Sequence, residues 1–286
     1  MTAAVLRPLA PAHQVTLRTL ATVETRRYAR HPLFLVGCAL LVATMVAVRG
    51  DWDASVVDTA ASPAFFLGLL GVFVGHQLTR SVDRSADAVE STPVDGVTRT
   101  AALCLACLLP GAVALAWLLW MHLAVALWPV PETIGYTSWE RAAMWGVGVV
   151  GAVGGPLVGV FVARWAQFPA AGLIAAVALV GWCLLGTYGL AMPASHSADL
   201  VHLNPPFATW LSADGPDLPL WVAGGSPSWY VAYLVALCGL AATAAMLHEA
   251  VGRQRRRLTR VLAVIGAAAV TFLMLAATAD PTRVPL

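Results

Sequence analysis

The sequence contains no lysine: all 17 basic residues among its 286 are arginine. Chemistry that needs a lysine amine is therefore excluded, which removes the Walker A phosphate loop, Schiff-base catalysis and Ser-Lys nucleophiles. Charge of either sign is scarce. Charged residues make up 11% of the chain, against about 25% in ordinary soluble domains, while 59% is hydrophobic and the mean hydropathy is +0.76. These proportions predict an all-α, polytopic integral membrane protein. Acidic residues are missing from the interior of the apolar runs, where a charge costs about 2.5 to 3.5 kcal/mol. A transporter coupled to protons or sodium usually keeps such a group, so the energy for any transport is expected to come from elsewhere.

No enzymatic constellation is present either. His248-Glu249 does not open an HExxH motif, because Gly252 stands where the second histidine is needed. There is no GxSxG elbow, and the carboxylates lie on loops between the apolar runs. The reading is therefore that the chain is not an enzyme and holds no cofactor or metal. Asp51, Asp53 and Asp58 lack the glycine and terminal carboxylate of an EF-hand loop. The five cysteines, Cys38, Cys104, Cys107, Cys183 and Cys238, all fall inside apolar runs and read as small core residues. Cys104 and Cys107 form a CxxC without a second pair or a nearby histidine. No short apolar core precedes a small-residue cleavage site, so no cleaved signal peptide is expected.

Seven apolar spans are predicted, at about 33–48, 61–78, 101–128, 142–163, 169–191, 229–247 and 259–279. Helix spanning a bilayer takes roughly 20 residues, so the first is short and the third long enough to tilt. Orientation follows from arginine. With a cytoplasmic N-terminus, the inner segments hold Arg18, Arg26, Arg27, Arg30, Arg80, Arg84, Arg99, Arg164 and the run from Arg253 to Arg260, whereas the outer side has only Arg49, Arg141 and Arg283. The outer loops carry the acids, including Asp199, Asp214 and Asp217, which read as solvated.

Between the spans, residues 1–12 are expected to be disordered. Residues 13–31 read as an interfacial helix with Glu24, Arg26, Arg27 and Arg30 on its polar side, Glu24 pairing with Arg27 one turn on, and the arginines directed at anionic membrane lipids. The first inner loop, 80–100, is predicted to hold a short amphipathic helix from about Ser81 to Ser91. Val82, Ala86 and Val89 form its apolar stripe, Asp83, Asp87 and Glu90 the neighbouring one, and Pro93 ends it before a turn at Asp95-Gly96. A solvated connecting loop is the other reading of the same residues. Gly151, Gly155 and Gly159, at four-residue intervals, predict a face of close helix packing, with Pro156 as a kink point. His76 and His122 are the main polar side chains at depth, read either as proton relays or as hydrogen-bonded packing residues. Trp117, Trp120 and Trp182 are placed in the span interior. The segment 192–228 has no basic residue but is rich in Pro, Gly and Trp, and its short apolar patches read as interfacial or re-entrant pieces at the outer mouth.

The stretches TVETRRYARHPLFLVG (22–37), ESTPVDGVTRTAALCLA (90–106) and GSPSWYVAYLVALCGLAA (225–242), in that order and topology, resemble the permease subunits of type-2 ABC exporters of actinobacterial type. The likeness covers most of 13–250. It implies a six-span permease core over 32–250, an elbow helix at 13–31, and a coupling helix at about 81–92 that docks on a separate ATP-binding subunit through Asp83, Arg84, Asp87, Glu90 and Ser91. It also implies short re-entrant helices over about 202–228, closing an outer gate that includes Phe207, Trp210, Trp221 and Trp229. The expected partners are an ABC ATP-binding subunit, which binds the ATP, a second permease copy or sister permease, and membrane lipids, with no nucleic acid. The expected role is export of an amphiphilic substrate across the plasma membrane. The alternative is a non-transporting membrane anchor or assembly subunit. The family core has six spans, so residues 251–286, a basic loop and a seventh span, are an addition to it.

Overall fold

The computed structural model describes residues 11–48, 62–84, 94–127, 138–192, 195–208, 211–213, 220–222 and 225–278. Among them the chain runs through helices α1 (Pro11–Ala29), α2 (Pro32–Val48), α3 (Leu70–Arg84), α4 (Gly96–Ala106), α5 (Leu108–Leu127), α6 (Ser138–Trp165), α7 (Ala171–Ala191), α8 (His196–Leu203), α9 (Pro227–Glu249) and α10 (Gly252–Thr278). A π-helical turn, Ala64–Leu69, leads into α3. Between α8 and α9 in sequence stands a two-stranded antiparallel ribbon, β1 (Leu211–Ala213) and β2 (Leu220–Val222), with Ser212 opposite Trp221. The chain is an all-α, multi-pass membrane protein. Six helical stretches are long and apolar enough to cross a bilayer, and Pro32–Thr44 in α2 is a shorter seventh.

The third span is α4 and α5 together, and its helix is interrupted where the chain dictates. Pro110 has no N–H to give, and its ring would collide with the carbonyl four residues back, that of Ala106. Helix α4 stops at Ala106, Cys107 makes a turn, and α5 resumes at Leu108. At its other end α4 starts from Asp95, whose side chain accepts from the Thr98 amide at 3.3 Å. The Asp95-Gly96 turn is thus a helix N-cap.

Successive spans alternate in direction. Every described arginine except Arg141 gathers at one end of the bundle, called here the arginine end; α8, the start of α9 and the last turn of α10 meet at the far end. Spans two and four, α3 with its π-turn and α6, run parallel in near backbone contact. A Cβ added to Gly155 would fall on the Gly68 carbonyl, and one on Gly159 would fall on the Val72 carbonyl and lie 2.9 Å from the His76 nitrogen. The predicted face of Gly151, Gly155 and Gly159 is therefore real, and its partner is the Ala64, Gly68, Val72 row of span two.

Two expectations need correction. Ser81 does not begin a separate helix: Ser81 to Arg84 are the last turn of α3, continuous with span two because nothing from Leu70 to Arg84 breaks the helix. In the segment 202–228 the described residues are helical only at the edges, at the end of α8 and the start of α9. Asn204 still has α dihedrals, but Pro205-Pro206 lack the amide donors that would continue the helix beyond it, and the ribbon follows.

Candidate functional site

At the arginine end, α1 lies along the start of α4, turning Leu20, Glu24 and Tyr28 inward and leaving Arg18, Arg26 and Arg30 exposed. Glu24 accepts from Arg27 at 2.9 Å, as its spacing predicts. Arg27 also donates to the Ser81 hydroxyl at 2.6 Å, which ties the elbow helix to the last turn of span two. His31 and Gln77 add a second tie at 2.9 Å. Tyr28 is buried edge-on to Phe34, ring centroids 5.2 Å apart. Its phenol is pushed well above its ordinary range, first by burial and then by the Cys107 and Cys38 thiols. It stays neutral, and its hydroxyl has no hydrogen-bond partner among the described residues.

Of the residues expected to couple to an ATPase, Asp83 and Arg84 belong to the last turn of α3, and Asp87, Glu90 and Ser91 lie outside the described residues. What the sequence reading missed stands beside them. Glu249, at the end of span six, meets Arg164, at the end of span four, Nη1 to Oε1 3.2 Å. His248 lies at 3.2 Å from the same oxygen. The other carboxylate oxygen covers the first turn of α4 so closely that a Cβ on Gly96 would lie 2.6 Å from it. A carboxylate over a helix N-terminus is favoured by the helix dipole. Spans three, four and six are thus gathered by one carboxylate. The Trp165 indole adds to this, donating to the Ala244 carbonyl at 3.0 Å with its ring edge against His248.

Spans two, four, five and six line a cavity of about 570 Å³ that runs from Phe65 and Phe207 at the far end to Phe161 and Ala244 nearer the arginine end. Its walls are apolar, running from Phe65 and Gly154 through Val180 and Cys183 to Leu237 and Ala241. Gly154 opens the space, for a Cβ there would meet only the Cys238 thiol at 3.3 Å. The polar exceptions stand near the far end. Thr187 spends its hydroxyl on the Leu184 carbonyl at 2.7 Å, and the His202 Nδ1 lies 3.4 Å from the Gly186 carbonyl. Without two or more free polar partners, water gains little by entering. Hydrocarbon is therefore the occupant that these walls favour.

The far end is closed by α8 and the chain after it. Tyr230 donates to the Pro205 carbonyl at 2.7 Å and Tyr233 to the Asn204 carbonyl at 2.6 Å. The Trp182 indole donates to the Asn204 side chain at 2.8 Å. Gly225 turns the chain with φ +99°, close against the Ala276 carbonyl, and Ser226 bonds that carbonyl at 2.9 Å. Comparison with family models, curated proteins and solved structures finds no match to this chain.

Phe207 lines the cavity, whereas Trp229 stacks on Phe272 of the seventh span, centroids 5.8 Å apart. Trp221 sits in β2, and Trp210 lies outside the described residues. Asp199 is not solvated but 4% exposed, on the inner face of α8 with His202. Of the three tryptophans expected inside, Trp117 is buried and donates to the Leu41 carbonyl at 3.2 Å, while Trp120 and Trp182 are exposed. His76 is buried against Gly172, its Nε2 without a partner among the described residues, so the hydrogen-bonded packing role does not hold for that atom. The His122 side chain and Asp51 to Asp58 fall outside the described residues. The cysteines are free, and among the described residues no group of His, Cys, Asp and Glu could hold a metal.

Proposed function

We propose that this chain is the permease subunit of a type-2 ABC exporter in the plasma membrane, moving an amphiphilic compound outward with ATP hydrolysed by a separate subunit. The observation that carries the reading is the tie between Arg27 and Ser81. It joins an interfacial helix to the first inner loop, where the resemblance puts the coupling helix, at about 81–92. A push on that loop would reach span two through α3 and span three through α4, and the glycine seam would pass it to span four. The cavity beside that seam supplies a place for cargo, which a plain anchor has no need of.

Affinity purification of the tagged chain from its native host tests this directly. An ATP-binding subunit should be recovered with it, and Asp87→Arg with Glu90→Arg should reduce that recovery at least tenfold without lowering the thermal midpoint of the permease. Recovery of assembly factors but no ATPase would give the role to an anchor.

A further inference from the structure

We infer that the cavity between spans two, four, five and six is a binding site for one hydrocarbon chain of a membrane lipid, admitted sideways from the bilayer. This deepens the permease reading by naming the chemistry of its ligand, but binding itself needs no ATPase. Three observations carry it. The walls from Gly154 to Ala241 offer hydrocarbon and little else, which suits an alkyl chain and excludes a hydrated or charged cargo. The size is right: a volume of 570 Å³ falls within the roughly 300 to 1,000 Å³ of pockets that take small organic ligands. The margin faces lipid, since Phe65 of span two is 55% exposed and Leu184 of span five 60% exposed on the outer surface of apolar helices.

The polar groups also give the ligand a direction. His202, Thr187 and the Trp182–Asn204 pair all lie toward the far end, while the walls nearer mid-span, at Leu237 and Ala241, are wholly apolar. A lipid with its headgroup at the far-end surface would lay its tail along Gly154 and Ala241 toward the middle of the membrane.

The test uses the full chain in nanodiscs containing a phospholipid with a diazirine midway along one acyl chain, with peptide mapping after irradiation. Label is expected on the cavity walls around Leu237 to Ala241 and on the outward-facing Val177 and Val264. Ala241→Phe, which fills the space from span six, should reduce the wall label at least tenfold and leave the outward label unchanged. Gly154→Val fills it from span four and repeats the comparison should the first variant unfold. Wall label absent in the wild type, or unchanged in a folded filled variant, overturns the site. Recovery of an ATPase subunit is scored separately, so loss of wall label with the ATPase present removes this site alone, and the converse removes the permease reading alone.

Discussion

Replacing Gly155 by alanine is the sharpest probe of how this bundle is held. The added methyl would meet backbone on every near side: the Gly68 carbonyl, and the Gly68 Cα at 2.8 Å. Neither can rotate away as a side chain would, so spans two and four must separate along their whole parallel contact. Overpacking of a tight interior costs about 1 to 3 kcal/mol and occasionally more, and contact by backbone puts this site at about 3 kcal/mol. For a chain of this size each kcal/mol lowers the midpoint by about 2 to 4 °C, which gives a fall of about 6 to 12 °C. Four of the five free cysteines lie in helices of the bundle and Cys107 in the buried turn between α4 and α5, so reaction with a thiol-sensitive dye on heating in detergent reports the midpoint. Gly181→Ala is the matched control, because a Cβ there has nothing within 4 Å; its midpoint should hold or rise, since alanine is the better helix former by about 1 kcal/mol. A Gly155→Ala midpoint within a degree of wild type, or an equal fall for Gly181→Ala, would refute the close seam.

Tyr28→Phe should be neutral or raise the midpoint, because the hydroxyl it removes is buried without a partner among the described residues and such a group costs about 1 to 3 kcal/mol. Tyr28→Ala, which empties the site, should cost about 3 to 5 kcal/mol. Glu249→Gln should destabilise by about 1 to 3 kcal/mol, since the buried Arg164 guanidinium loses its counter-charge; the partial exposure of Glu249 favours the lower figure. The same dye assay reads it, and an unchanged midpoint would mean that the carboxylate does not gather the spans.

How much of this was legible beforehand depends on the range of each interaction. The seven spans follow from the apolar runs, but helix continues past three of the expected bounds: α3 ends at Arg84, α4 begins at Gly96, and α10 begins at Gly252, so the arginine run expected as a basic loop is helical. Half of the seam was visible, because Gly151, Gly155 and Gly159 are all glycines at a strict interval, whereas the row opposite, Ala64, Gly68 and Val72, holds one glycine and reads as ordinary apolar helix. The break in span three was written in Pro110 but hidden by an apolar run that reads as continuous. Arg164 and Glu249 are far apart in sequence, and no local pattern announces such a pair. Asp199 sits among Ser, His and Pro residues that read as a wet loop, yet α8 turns it inward. The cavity had no signal of its own, for it is shaped by which residues are small on four different helices.

Backbone-on-backbone contact has a mechanical meaning for spans two and four. With no side chains between them to change rotamer, they cannot slide or roll past one another and must travel as one stiff beam. Span five is built the other way: it is held at the far end by α8 at Gly186 and Gly189 and at the arginine end by His76 against Gly172, and between them it shows most of its length outward. Any widening of the space beside the beam therefore falls to span five, bowing between its two attachments. A cross-link between spans four and five would hold that door shut, while one between spans two and four would change nothing that moves.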